Sequence, residues 1–238
     1  MSQTPVTLQR YLPGWELLDI CPFCFKVEVY LKLAGIPYAT ALGDPRRAPK
    51  RKLPVLLDGA DTIADSAAIL DHLERTRGRP LDTFLTARQR ALATAVRSMV
   101  EEHLDFVVLH QRWQLDQNWA IYKTKFIELA ALFGAPRLVD RFVVEQIRRQ
   151  VLRVLDNQGL GRHAPEEIVA IALRLLETLA ELCEGPFFFG ARPSTLDATV
   201  YAFLQSFAGV PFEGPIKAYV HTNQKLHSYR EHIKGRLD

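Results

Sequence analysis

Cys21-Pro22-Phe23-Cys24 places two thiols at i and i+3, directly after an apolar opening segment and directly before a strongly patterned helix. At a helix start that spacing sets the Cβ atoms about 5–6 Å apart, so the sulfurs can close a disulfide or hand one over. The unpaired amides and positive dipole end of the following helix favour a thiolate at Cys21, the form that attacks at neutral pH. Two other readings stand beside this one. A two-residue spacer also suits half a tetrahedral zinc site, but Cys183 is the only other cysteine, so further ligands would have to come from scattered positions. Free cysteines also serve as small apolar filler.

Other residues invite chemistry less strongly. Arg46, Arg47, Lys50, Arg51 and Lys52 fall within seven residues broken by Pro49, which reads as an exposed basic loop, either simply solvated or suited to a small anionic carboxylate. Ser194-Thr195-Leu196-Asp197 has the form of a capping box, where each side chain satisfies an orphan amide at a helix start, so a structural role is expected for Ser194 and Asp197. His221, His227 and His232 are spaced by 6 and 5, which does not bring them to one helix face, and no metal site is expected. Cys183, before Gly185-Pro186, reads as a buried filler. Trp113, Trp119 and Tyr122 read first as core and second as a substrate pocket.

The elements that must position these residues follow from periodicity. Residues 6–12 read as a strand ended by Pro13-Gly14, residues 22–34 as a helix stopped by Gly35, and residues 36–40 as a short strand. Residues 54–57 and 62–64 form a hairpin turning at Asp58-Gly59, and Asp65-Ser66 caps a helix to about Arg77. The order is βαβ then ββα, a parallel pair with an antiparallel addition. Gly78-Arg79-Pro80 makes a linker between units at 1–80 and 86–238. The second unit is helical, with stripes over 91–110 and over 138–155, where Arg141, Arg148, Arg149 and Arg153 take the polar side, and a proline-initiated helix over 165–182.

Composition bounds the function. With 48% hydrophobic and 24% charged residues the 238-residue chain is an ordinary globular one, and its net charge of +3 is too small to indicate nucleic acid as partner. No apolar run approaches the roughly eighteen residues of a membrane span. Three cysteines make no disulfide framework and no charged-then-apolar leader opens the chain, so a reducing, cytoplasmic setting is expected.

An α/β layer with CPFC after its first strand, joined to helices carrying that capping box, resembles the glutathione transferase superfamily over nearly the whole chain. The resemblance implies a thioredoxin-like first domain and glutathione as cosubstrate. It places Cys21 and Cys24 in the catalytic region, in a form similar to glutaredoxin and omega-like transferases. Leu53-Pro54 matches the residue before a cis-proline whose backbone pairs with the cysteinyl part of glutathione, and Asp65-Ser66 matches the pair that holds the γ-glutamyl end. Lys52 or Arg51 is then free to neutralise the other carboxylate. The stretch 25–38 and Lys52-Leu53-Pro54-Val55 resemble the failed-axon-connections and metaxin-related branch, some of whose members are not established enzymes. Trp15 and the long approach from Pro13 to Ile20 depart from short glutaredoxin loops. The implied activity is thiol-disulfide exchange on a disulfide substrate, or conjugation of glutathione to a small apolar electrophile. A non-enzymatic binding or adaptor protein is the alternative. A homodimer is implied by the resemblance alone.

Overall fold

A computed structural model of the protein describes residues 4–77, 80–133 and 137–237. Gly78 and Arg79 of the expected linker, and the side chain of Arg141, lie outside the described residues. The first layer is a four-stranded sheet of Val6–Arg10 (β1), Tyr38–Leu42 (β2), Val55–Asp58 (β3) and Asp61–Ala64 (β4), in the order β2-β1-β3-β4. β1 and β2 are parallel, with Val6 opposite Tyr38, while β3 runs antiparallel to β1 and to β4. The parallel pair needs a crossover, and Pro22–Leu33 (α1) supplies it. Ser66–Thr76 (α2) follows β4.

α1 is apolar nearly all round because it is covered on both sides, by the sheet and by the helical layer. Phe25, Val27, Val29, Tyr30 and Leu31 are all buried. Its end is a Schellman arrangement: Gly35 takes φ 64°, a conformation that favours glycine, and the Ile36 amide reaches back to the Leu31 carbonyl at 2.9 Å. Ile36 is thus spent on closing the helix, which is why β2 begins at Tyr38, two residues later than the pattern predicts. β1 likewise ends at Arg10 and not at Leu12, because the Leu12 carbonyl accepts the amide of Ile20 as the 13–20 loop returns.

The helical layer begins with Ala87–Ser98 (α3), opened by a Thr86/Gln89 capping box. The rod continues through a π-helical turn at Met99–Leu104, the short α4 (Asp105–Leu109) and a second π-helical turn at His110–Gln114. It therefore extends on both sides of the expected 91–110. Asp116–Leu132 (α5), Arg137–Gln158 (α6) and Pro165–Leu182 (α7) follow, then Thr195–Ala208 (α8), Pro215–Thr222 (α9) and Gln224–Leu237 (α10). Every residue of α8 is buried, and its rings meet α1 edge-on, Phe203 with Phe23 at 5.5 Å and Tyr201 with Phe25 at 5.9 Å. One continuous apolar core runs from Val6 in the sheet to Leu237 in the last helix.

At the start of α8 the Asp197 carboxylate reaches well beyond Ser194. Asp197 accepts the Ser194 amide and hydroxyl, the Phe188 amide and the Tyr229 hydroxyl, all within 3.0 Å. Trp113, Trp119 and Tyr122 are buried in an aromatic cluster with Phe126, and Trp15 stacks on Tyr122 at 6.1 Å. Cys183 is the half-buried C-terminal cap residue of α7, its thiol 3.4 Å from the Gly185 carbonyl.

Candidate active site

Cys21 is the N-cap residue of α1: its backbone is extended, φ −92° and ψ 120°, Pro22 occupies the first turn, and its carbonyl accepts the Phe25 amide at 2.9 Å. Proline fits there because its missing N–H is one that a helix start leaves unpaired anyway. The two cysteines are free thiols of unequal standing, Cys21 half-buried and Cys24 without solvent access. Burial pushes the Cys24 thiol well up, and the neighbouring Cys21 sulfur adds to this, so Cys24 is held as a protonated thiol.

Behind the pair lies a charged cluster. Asp19, fully buried, accepts the Cys21 amide at 2.8 Å and pairs with Arg10 at 3.4 Å. Arg10 also meets Glu28 of α1 at 3.3 Å, and Tyr38 donates to the far oxygen of that carboxylate. One guanidinium thus serves two buried carboxylates. Burial raises Asp19 to about 7 against the opposing pull of the Cys21 amide and Arg10, and burial raises Glu28 as well. Tyr11, whose hydroxyl burial and the neighbouring Cys21 push far up, packs against Cys21 and Cys24. On the other side Arg112 from the helical layer donates to the Ile20 carbonyl at 2.5 Å and lies over the Tyr122 ring.

Leu53 and Val55 pack into the same small cluster as Cys21 and Cys24, and the Leu53–Pro54 peptide is cis. Gly43 makes that packing possible: a Cβ there would lie 2.6 Å from the Leu53 side chain. Asp65, at φ 96°, caps α2 by accepting the Ala67 amide at 3.0 Å and pairs with Lys52 at 2.7 Å. Burial pushes the Asp65 carboxyl up, but Lys52 and the amides of Ala67 and Ala68 outweigh it and hold the group below its ordinary range. Both members of the Lys52 pair are partly exposed, so the pair adds little stability and is open to exchange with a ligand carboxylate or ammonium. Ser66 is buried, its Oγ 3.3 Å from the ammonium of Lys26, which in turn meets Glu101 at 2.6 Å. In the basic loop Arg46 is bound bidentately by Asp44, and Arg46, Arg47, Lys50 and Arg51 are all exposed.

The arrangement brings Cys21, Cys24 and Leu53 into one packed group and ties Lys52 to Asp65 at the mouth of α2. Ser194 and Asp197 stand apart, inside the helical layer. Among the described residues no three His, Cys, Asp or Glu side chains are placed to hold a metal ion, and no helix is long and apolar enough to cross a membrane. The residues that sequence reasoning missed are Arg10, Asp19, Lys26, Glu101 and Arg112. A signal existed for Lys26 and Glu28, two charges in the middle of a helix that is otherwise apolar up to Lys32 in its last turn. An aspartate two residues before a helix-capping cysteine is another.

Comparison with known proteins accounts for this layout. The family model described as glutathione S-transferase N-terminal domain matches residues 22–119, and that of the C-terminal domain matches 172–233. Isoprene-epoxide–glutathione S-transferase of Rhodococcus sp. (strain AD45) is 31% identical over 98% of this chain and 99% of its own. Failed axon connections of Drosophila melanogaster is 32% identical over 79% of this chain, which corresponds to 46% of that protein. The crystal structure of glutathione transferase GSTFuA3 from Phanerochaete chrysosporium superposes with a TM-score of 0.65 at 15% identity, covering 100% of this chain and 98% of its own. With a thioredoxin-like layer, a helical layer behind it and both halves matched in order, the chain belongs to the glutathione S-transferase family.

Proposed function

We propose that the protein is a glutathione-dependent transferase in which the Cys21 thiolate performs thiol-disulfide exchange. The observation that carries this reading is a half-buried sulfur at the α1 cap packed with a second, fully buried thiol one turn on. In the reaction Cys21 attacks the glutathione sulfur of a mixed disulfide. The sulfur–sulfur bond breaks, the substrate leaves as a thiolate and takes up a proton, and glutathione remains bonded to Cys21. A second glutathione thiolate then attacks that bond, releasing glutathione disulfide and restoring Cys21; attack by Cys24 is the intramolecular route. Leu53 supplies backbone to the cysteinyl part, Asp65 and Ser66 with the α2 amides take the γ-glutamyl end, and Lys52 serves the other carboxylate.

A second reading is favoured by one observation: the relative named for isoprene epoxide matches from end to end. In it the glutathione thiolate opens a small electrophile and Cys21 only stabilises that thiolate. One set of proteins separates the two. Wild type, Cys21→Ser and Cys24→Ser are assayed for reduction of a glutathionylated peptide and for consumption of a small epoxide, each with glutathione. Exchange predicts that Cys21→Ser loses at least a hundredfold in peptide reduction while Cys24→Ser keeps the external-glutathione route. Epoxide conjugation that survives Cys21→Ser, with no exchange in the wild type, moves the assignment to conjugation. Absence of both activities and of glutathione binding at millimolar concentration leaves the adaptor reading.

A further inference from the structure

Lys26 has no solvent exposure, lies on α1 and points away from the thiols into the seam between the two layers. Its Nζ is 3.3 Å from Ser66 Oγ at the start of α2 and 2.6 Å from Glu101 Oε1 in the first π-helical turn of the rod. The same Glu101 oxygen accepts the Thr199 hydroxyl of α8 at 3.3 Å. An ammonium this deep gives up its hydration, and a methionine would fill the space without that cost. The charge therefore calls for an explanation other than packing.

Hydrogen-bond chemistry supplies one. An ammonium has only donors, so Ser66 Oγ accepts in this contact and its own hydrogen must point elsewhere. Ser66 is the first residue of α2, beside the amides that a helix start leaves unpaired. We propose that Lys26 is a positioning residue that fixes Ser66 as a donor and sets a buried positive charge beneath it, so that this corner selects an α-carboxylate. Glu101, from the helical layer, holds Lys26 in place at 2.6 Å and opposes the burial that draws its ammonium down. Recognition at the α2 end of the site then depends on the contact between layers. This inference rests on the glutathione reading above, in which Ser66 meets the γ-glutamyl carboxylate.

The test measures discrimination, not affinity alone. Reduced glutathione and an analogue whose γ-glutamyl α-carboxylate is an amide are titrated by calorimetry into wild type, Lys26→Met and Ser66→Ala. Wild type is expected to prefer glutathione by about tenfold, the range of one charge-assisted hydrogen bond. Lys26→Met is expected to lose that preference as fully as Ser66→Ala does, while its Cys21 alkylation rate stays unchanged. A folded Lys26→Met protein that retains the tenfold preference, or that loses affinity equally for both ligands, overturns the role of Lys26 and leaves the glutathione site standing. A wild type that binds neither ligand overturns the site itself and the proposal with it. Should Lys26→Met not fold, Lys26→Gln, which keeps a donor to Ser66 without the charge, carries the same comparison, with a preference reduced at least threefold.

Discussion

At the scale of single residues the charged pocket behind Cys21 is the least ordinary feature. Arg10 stands between two buried carboxylates, and its one charge cannot offset both. Asp19, raised by burial to about 7, holds its proton in the folded chain over a range where the unfolded chain, near 3.8, has released it. Its contribution to stability is therefore fully present below about pH 4 and is lost as the pH rises through about 7. Asparagine at this position can still accept the Cys21 amide but cannot ionise. Urea unfolding of Asp19→Asn against wild type is expected to show a difference that moves in favour of the variant by on the order of 2–4 kcal/mol between pH 4.5 and pH 8. A difference that does not change with pH would show that Asp19 stays ionised throughout, as an exposed carboxylate would.

At the scale of elements the capping box gives the sharpest contrast between a motif and its setting. An ordinary N-cap contributes about 1 kcal/mol. Asp197, however, also takes the Phe188 amide and the Tyr229 hydroxyl, which joins the turn before α8 and the helix α10 to one carboxylate. Asp197→Ala would leave three donors unpaired in a dry core and the Tyr229 hydroxyl with only the backbone carbonyl of residue 197 at 3.4 Å, whereas Ser194→Ala removes a single bond, that of the hydroxyl. The expected losses in chemical denaturation are about 3–5 kcal/mol for the first and about 1 for the second; equal losses near 1 would reduce Asp197 to a plain cap. The box itself was legible because its signals lie three residues apart in the chain. So were α1, the β3–β4 hairpin and α7, each carried by a local period, a turn dipeptide or a leading proline. α5 was not, because Ile121 and Leu132 are exposed while Trp119, Tyr122 and Leu129 are buried, so no clean apolar stripe marks it. Nor were the partners of the site residues: Glu101 lies 75 positions from Lys26, and Arg112 lies 92 from Ile20. Pairings of that kind are decided by packing, which no window along the chain contains.

At the scale of the whole molecule the two layers share one core, and Arg112 joins them at the most sensitive place. From the end of the rod it donates to the Ile20 carbonyl immediately before Cys21 and, at 3.3 Å, to the Ser206 carbonyl of α8, and it is buried over Tyr122. A layer arrangement fastened this way has no plane along which it parts cheaply, since α8 is buried along its whole length and packs on α1. Unfolding should therefore be a single transition. Trp15 in the loop before Cys21 and Trp113 and Trp119 in the helical layer report on the seam by fluorescence, while far-UV circular dichroism reports on the helices. The two curves are expected to coincide in the wild type. Arg112→Met leaves the Ile20 and Ser206 carbonyls without their donor, and both curves should shift together by about 2–4 kcal/mol. Faster alkylation of Cys21 is expected in the same variant, because the carbonyl that precedes it is no longer held. Fluorescence that falls well before the circular dichroism would mean that the seam opens while each layer stays folded, and the common core would then not be what holds the halves together.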